Sequence, residues 1–262
     1  MLSVVSIVPP TFNPAPAPVS ADAGTWFAFD KVSLSLDGKS VLHEVSVRSS
    51  ARRIGMVGRN GSGKSTFARL FAGLIAPTTG SVEVRGVDVA KDRRAALSTV
   101  GILFQNPDHQ IIFPTVEEEL AFGLLQQGVS KADAAEQVAQ LLAQFGKSHW
   151  APEAAHSLSQ GQKKLVCLMA VLAMKPKAIV LDEPLSGLDI PTQLQLSRYL
   201  DDADAMLVHI AHDPDHIRDY DEVLWLEEGR LVADGAPAKV LPAFTARMHE
   251  LGGGDALSDL AG

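Results

Sequence analysis

The sequence predicts an α/β fold: a mainly parallel sheet covered on both faces by helices, with an N-terminal antiparallel β hairpin and an inserted α-helical subdomain. Three observations predict it. Short apolar runs of strand length alternate with stretches of helical period. A glycine-rich loop over residues 58–65 joins one such strand to a helix. A second apolar run, residues 178–181, ends in paired carboxylates at Asp182 and Glu183, on the edge where parallel sheets gather their functional groups.

Over residues 25–47 apolar and polar residues alternate about the turn dipeptide Asp37-Gly38, which predicts an antiparallel hairpin. Residues 54–57 form a short buried strand that runs into the glycines. Beyond them Phe67, Leu70, Phe71 and Leu74 recur at helical spacing, with Gly73 and Pro77 as the stop signals. Residues 81–85 and 100–104 read as further strands. Thr115 followed by Glu118 has the capping-box spacing, and Ser130 opens a second helix with Val138, Leu141, Leu142 and Phe145 on one face. Residues 106–158 therefore read as a helical insertion. Strand signals return at 178–181 and 206–211, and a final hairpin, 223–226 with 231–233, turns about Glu228-Gly229. There is no internal repeat.

A chain of 262 residues with these elements is one large α/β domain, placed at 25–240, with appendages at either end. Residues 1–24 hold Pro9, Pro10, Pro14, Pro16 and Pro18 among alanine and serine, which predicts a disordered extension with polyproline segments; an overlong start is the alternative. This stretch lacks the basic start of a secretory signal. Residues 241–262 read as a C-terminal tail. With 23 basic against 31 acidic residues and a net charge of -8, nucleic acid is disfavoured as the main partner. The one cysteine, Cys167, lies in an apolar run and reads as a buried helix residue. The longest uncharged apolar run, 165–174, is far short of the roughly 20 residues that span a bilayer.

Gly58-Arg59-Asn60-Gly61-Ser62-Gly63-Lys64-Ser65 fits GxxxxGK[ST], in which small residues let successive backbone N–H groups curl around phosphate oxygens at a helix N-terminus. Lys64 is expected to reach the β- and γ-phosphates of ATP and the Ser65 hydroxyl to ligate Mg²⁺. A chance match in a chain of this length is on the order of 1%. Asp182 suits an outer-shell hold on Mg²⁺, and Glu183 suits polarising a water for in-line attack on the γ-phosphorus. His209, His212 and His216 raise the idea of a metal site, but a strand sends His209 and His212 to opposite faces. Glu117, Glu118 and Glu119, at a helix start, favour the helix dipole.

Leu158-Ser159-Gln160-Gly161-Gln162, ahead of an apolar helix, resembles the signature sequence of ATP-binding cassette (ABC) proteins, built on a RecA-like P-loop NTPase core. Gln105 resembles that family's Q-loop glutamine, Ser186-Gly187-Leu188-Asp189 its D-loop, and His212 its switch histidine. The resemblance covers residues 25–240, with six motifs in family order. It implies a composite site, in which Ser159, Gly161 and Gln162 of one subunit close over a nucleotide held by residues 58–66 of another, Thr66 and Asp189 among the binding residues. Glu183, His212, Gln105 and Lys64 are the implied catalytic set, and Ser65, Gln105 and Asp182 the implied Mg²⁺ set. The partner subunit is an identical chain or a close paralogue.

Two positions depart from the family. Leu36 stands where an aromatic residue usually stacks on adenine, with Phe27 or Phe29 as possible substitutes, and Gln160 stands where glycine is commonest. The run from Phe104 through Gln105-Asn106-Pro107-Asp108-His109-Gln110 to Ala121-Phe122-Gly123 resembles the ATPases of energy-coupling factor (ECF) vitamin and metal importers. Arg59 and the short tail are most similar to the biotin-importer branch, with cobalt and nickel branches open. The resemblance implies a peripheral subunit at the cytoplasmic face of the membrane, working with an integral transmembrane component and a substrate-binding membrane component. A leucine at position 36 is expected to give weak ATP-over-GTP preference in a competition binding assay, since base stacking is worth about 1 to 3 kcal/mol; strong discrimination would show another group reading the base.

Overall fold

The computed structural model describes residues 24–252. The predicted first hairpin is present as β1 (Phe27–Leu36) and β2 (Lys39–Ser49), turning at Asp37 and Gly38, both in left-handed backbone. With β4 (Thr79–Val84) and β5 (Val87–Asp88) it forms a four-stranded antiparallel sheet of order β2-β1-β4-β5. The second sheet has the order β10-β9-β3-β8-β7-β6. Its members are β3 (Arg53–Val57), β6 (Val100–Leu103), β7 (Ala178–Asp182), β8 (Met206–Ile210), β9 (Glu222–Glu227) and β10 (Arg230–Gly235). Every pairing from β9 to β6 is parallel, and only β10, which returns from β9, is antiparallel.

Residue alternation shows why this sheet is covered on both faces. In β7, Ala178 and Val180 join the core built with the antiparallel sheet and α1 (Lys64–Phe71), whereas Ile179 and Leu181 join the core built with the helical layer. The helical layer comprises α3 (Val116–Gln126), α4 (Lys131–Gln144) and α5 (Gln160–Ala173). The capping box of Thr115 and Glu118 is formed at the start of α3, and Ser130 caps α4 through the Asp133 N–H. Val138, Leu142 and Phe145 are buried as the spacing predicts, whereas Leu141 is only half-buried against the same cluster. The insertion has no core of its own: Leu120 and Leu142 belong to one apolar cluster with Leu103, Leu165 and Leu181. Burying a leucine of this kind contributes about 1.5 to 3 kcal/mol, and the continuous cluster thereby fastens the insertion to the sheet edge. Cys167 is buried within it, and desolvation pushes its thiol up to about 12.

Several expectations are corrected. Leu74 lies beyond the end of α1, because Gly73 adopts left-handed backbone and stops the helix; Leu74 is half exposed. Two helices lacked a strong periodic signal, α2 (Arg93–Thr99) and α6 (Ile190–Asp201), each capped by an aspartate, Asp92 and Asp189. Residue 240 is not a boundary. Helix α7 (Pro237–Gly252) runs through it, with Val240 and Phe244 buried and Phe244 edge-on to Trp225 at 5.6 Å. The proline-rich stretch of residues 1–23 lies outside the described residues, as does the tail from 253 onward.

Phe27 and Phe29 are not available to a nucleotide base. Both are 1% exposed, and Phe29 stacks on Phe67 with ring centroids 4.1 Å apart. Phe29→Leu is therefore expected to lower stability by roughly 1 to 2 kcal/mol in thermal or denaturant unfolding, while ATP affinity in equilibrium titration stays unchanged. A loss of affinity without loss of stability would return Phe29 to the binding site.

Candidate functional site

The parallel register carries the ends of β3, β6, β7 and β8 to one edge of the sheet, and the candidate residues follow those strands directly. Asp182 pairs with Ile210, so Glu183 and His212 emerge side by side. The Glu183 carboxylate is held from two directions. Gln105 Nε2, just past β6, donates to Glu183 Oε2 at 2.6 Å, and His212 Nε2 contacts Glu183 Oε1. Glu183 itself has φ 51°, left-handed backbone that costs a non-glycine residue of order 1 to 3 kcal/mol and is concentrated at functional sites. Its side chain is 9% exposed, and that of His212 is half exposed.

Beside this group lies the loop of residues 58–65. Lys64 is buried, and its Nζ donates to the carbonyls of Gly58 at 2.8 Å and Arg59 at 2.9 Å. Burial lowers the ammonium pKa, against which Glu183, Asp182 and Glu227 pull it up. The loop is held from outside by the turn between β9 and β10: Gly229 N–H donates to Ser62 O at 3.0 Å, and Arg59 pairs with Glu227 at 3.8 Å. Gly58 must be glycine, since a Cβ there would collide with the Leu226 carbonyl and the Ser62 hydroxyl.

The residues present fit a phosphate chain. Gly61 (φ 78°) and Gly63 (φ 101°) turn the backbone into the start of α1, whose first N–H groups have no intrahelical partner. Ser62 Oγ is the one buried side-chain polar atom without a hydrogen-bond partner among the described residues, and it sits in this cradle. Ser65 is exposed and Thr66 half-buried at the first turn of α1, and Asp182 is buried at the end of β7. Acceptor-free N–H groups, a buried ammonium and a constrained carboxylate together can bind a polyphosphate and polarise a water against it.

The remaining candidates lie apart from that loop. Ser159 Oγ accepts from Gln162 N–H at 3.3 Å and Gln162 Oε1 from Ser159 N–H at 2.8 Å, a complete capping box at the start of α5. Gly161 faces Leu188 and Thr192 rather than the loop of residues 58–65. Asp189 caps α6, and the hydrogen bonds from Thr192 hold its carboxyl below the usual range. Gln160 points outward and donates to Asp108 Oδ2 at 2.9 Å. Of the glutamate run, Glu118 completes the cap of α3 and buried Glu119 accepts from the N–H groups of Ile112 and Phe113, each at 2.9 Å.

Sequence reading missed Lys164. It is buried, and its Nζ donates to Ser186 O at 2.6 Å, Pro184 O at 3.3 Å and Glu183 O at 3.4 Å, so it shapes the loop that leaves Glu183. A lysine inside an otherwise apolar helix face, directly after the signature, was the available signal. His209 Nδ1 lies 3.0 Å from the Tyr220 hydroxyl and its ring stacks near His216, which gives it a buried structural place.

A strand, a glycine loop with a buried lysine, and a carboxylate at the end of a parallel strand one place further along the same sheet define a P-loop ATP-binding protein. Comparisons narrow the class. Residues 42–186 match the family described as ABC transporter. The biotin transport ATP-binding protein BioM of Rhodobacter capsulatus is 50% identical over 84% of this chain and 94% of that protein. The energy-coupling factor transporter ATP-binding protein EcfA of Methanosphaera stadtmanae is 37% identical over 76% and 74% respectively. Among solved structures, cbiO1 from Clostridium perfringens, part of the ABC transporter complex cbiONQ, is similar with a TM-score of 0.71 and 26% identity, covering 90% of this chain and 97% of that one. The chain belongs to the ABC transporter ATP-binding family and is an ATPase.

One pH dependence follows. Burial, with a smaller contribution from His216, takes His209 from the ordinary 6.5 down to about 4. A depressed folded value means that stability present above pH 6.5 is lost as pH falls towards 4, by up to about 3 kcal/mol. Thermal denaturation between pH 7 and 4.5 is expected to show this loss. His209→Gln, which has no charge to acquire, is expected to flatten it; an unchanged slope would assign the loss elsewhere.

Proposed function

We propose that this chain is the ATP-hydrolysing subunit of an ECF-type importer for a vitamin, biotin by preference, with cobalt or nickel as the alternative cargo. It sits at the cytoplasmic face of the membrane with an integral transmembrane component and a substrate-binding membrane component. The observation that carries this reading is a groove of about 400 Å³ lined by Leu74, Leu97, Phe104, Ile112, Phe122 and Met174. Ile112 within it is 66% exposed, which is unusual for an isoleucine with no partner to cover it. The groove begins at Phe104, next to Gln105, and suits an amphipathic helix of the membrane component. The likeness to the biotin transport and energy-coupling factor proteins supports the same reading. Among the described residues no helix is long and apolar enough to cross a membrane.

At the nucleotide, Gly58, Arg59, Asn60, Gly61, Ser62, Gly63, Lys64, Ser65 and Thr66 hold the phosphates of ATP. Ser65, Gln105 and Asp182 would hold Mg²⁺, which supplies charge neutralisation on the phosphate oxygens. Glu183 accepts the proton of the attacking water, and Gln105 and His212, which already grip both its oxygens, orient it towards the γ-phosphoryl group. Ser159, Gly161, Gln162 and Asp189 lie away from this loop in their own subunit, so they serve the nucleotide of a second ATPase subunit, identical or a close paralogue. There the start of α5 offers N–H groups and the positive end of the helix dipole to the γ-phosphate.

Glu183→Gln is expected to keep ATP binding, to reduce turnover to background, and to accumulate an ATP-bound dimer in gel filtration. Normal hydrolysis by that variant would remove Glu183 from its role. For the partner, affinity purification from detergent-solubilised membranes is expected to bring down integral membrane proteins. Sedimentation with ribosomes, and no membrane partner, would favour a non-transport ABC ATPase instead.

A further inference from the structure

We propose that Asp108 is a positioning residue that locks the Gln105 segment of one half-site to the signature helix of the other, so that both engage nucleotide together. This rests on the two-subunit site proposed above. Asp108 lies in the 3₁₀ turn Pro107–His109, three residues after Gln105, and the turn is set by Asn106 Oδ1 accepting from Asp108 N–H at 2.9 Å. Its carboxylate bridges to α5 with a different donor on each oxygen. Lys163 Nζ donates to Oδ1 at 2.7 Å, and Gln160 Nε2 donates to Oδ2 at 2.9 Å. The two donors flank Gly161 and Gln162.

A continuous chain of contacts results. Glu183 Oε2 is held by Gln105, Gln105 is carried on the same short segment as Asp108, and Asp108 is tied to the first turn of α5. One end of that chain is the carboxylate that faces ATP within the subunit. The other end presents Ser159 and Gly161 to the neighbour. Displacement of Gln105 is thereby passed to the signature without crossing the hydrophobic core. Position 160 matters here, since a glycine would have no side chain to make the second bond. The hydrogen bonds from Lys163 and then Gln160 also hold the Asp108 carboxyl below its ordinary range, so the bridge is ionised at neutral pH.

Stability is not what this bridge supplies. The Asp108 side chain is 46% exposed, and exposed ion pairs contribute little to folding. A purely structural role therefore predicts almost no effect of removing it. A geometric role predicts an effect on the step that uses both half-sites. The side chain of Lys163 is only 13% exposed, which limits the ways its ammonium can reach Asp108.

The test uses the full chain and two measurements, MgATP binding by equilibrium titration and ATP-driven dimerisation by sedimentation in the Glu183→Gln background. Adding Asp108→Ala is expected to leave single-subunit ATP binding within about twofold while raising the ATP concentration needed for dimerisation about tenfold. In the hydrolysing protein the same change is expected to lower kcat about five- to tenfold with little change in KM or Tm. Exchanging the charges, Asp108→Lys with Lys163→Asp, is expected to recover a good part of both losses. The proposal is overturned if Asp108→Ala leaves dimerisation unchanged, if binding and Tm fall together, or if the exchange recovers nothing. If Glu183→Gln itself stays monomeric at saturating ATP, the two-subunit site fails and the Asp108 bridge fails with it.

Discussion

The Glu183 carboxylate, gripped by Gln105 on one oxygen and His212 on the other, can exist only where three parallel strands end at the same level. Gln105 follows β6, Glu183 follows β7 and His212 follows β8, and β7 lies between the other two. A shift of one residue in either pairing would turn the next strand's side chains to the opposite face and separate the three groups. That register is maintained by burial on both faces, because alternate residues of β7 and β8 enter different apolar clusters. The cost of left-handed backbone at Glu183 is thus borne by packing distributed over the whole sheet.

Two buried lysines complete the local electrostatics from opposite sides. Lys64 caps the carbonyls of the phosphate loop, and Lys164 caps those of the loop after Glu183. In both, burial lowers the ammonium pKa while Glu183 opposes that shift. Each lysine satisfies its desolvated charge with backbone carbonyls, an arrangement that fixes loop shape as well as charge. The turn at Glu228 and Gly229 does comparable work: Gly229 N–H supports Ser62 O, and the Gly229 carbonyl accepts from His43 N–H at 2.9 Å. The phosphate loop is in this way suspended between the parallel sheet and the antiparallel one.

Local signals were informative where local physics decides the outcome. The Asp37-Gly38 turn, the capping box at Thr115 and the glycine loop before α1 each depend on a few neighbouring residues, and each stands where its spacing puts it. Signals failed where distant packing decides. Helix α6 lacked a clear stripe because only Leu196 and Leu200 are buried along it, and α7 was read as tail because its anchor, Trp225, comes from another element. Phe27 and Phe29 could have faced a base or the core as far as alternation goes, and only the packing of Phe27 on Phe71 and of Phe29 on Phe67 chooses.

What the sequence by itself determined was the identity of the chemistry: a phosphate loop, a strand ending in carboxylates, and the ordered family motifs, all of them contiguous patterns. What only the tertiary structure decided was which of these groups meet. Gln105 and Glu183 are 78 residues apart, and Asp108 and Lys163 are 55 apart. Such encounters are set by strand order and register, which follow from the burial of both sheet faces rather than from any local motif. The same reason explains why Lys164 was passed over: its role depends on three carbonyls about twenty residues away that only folding brings under its ammonium.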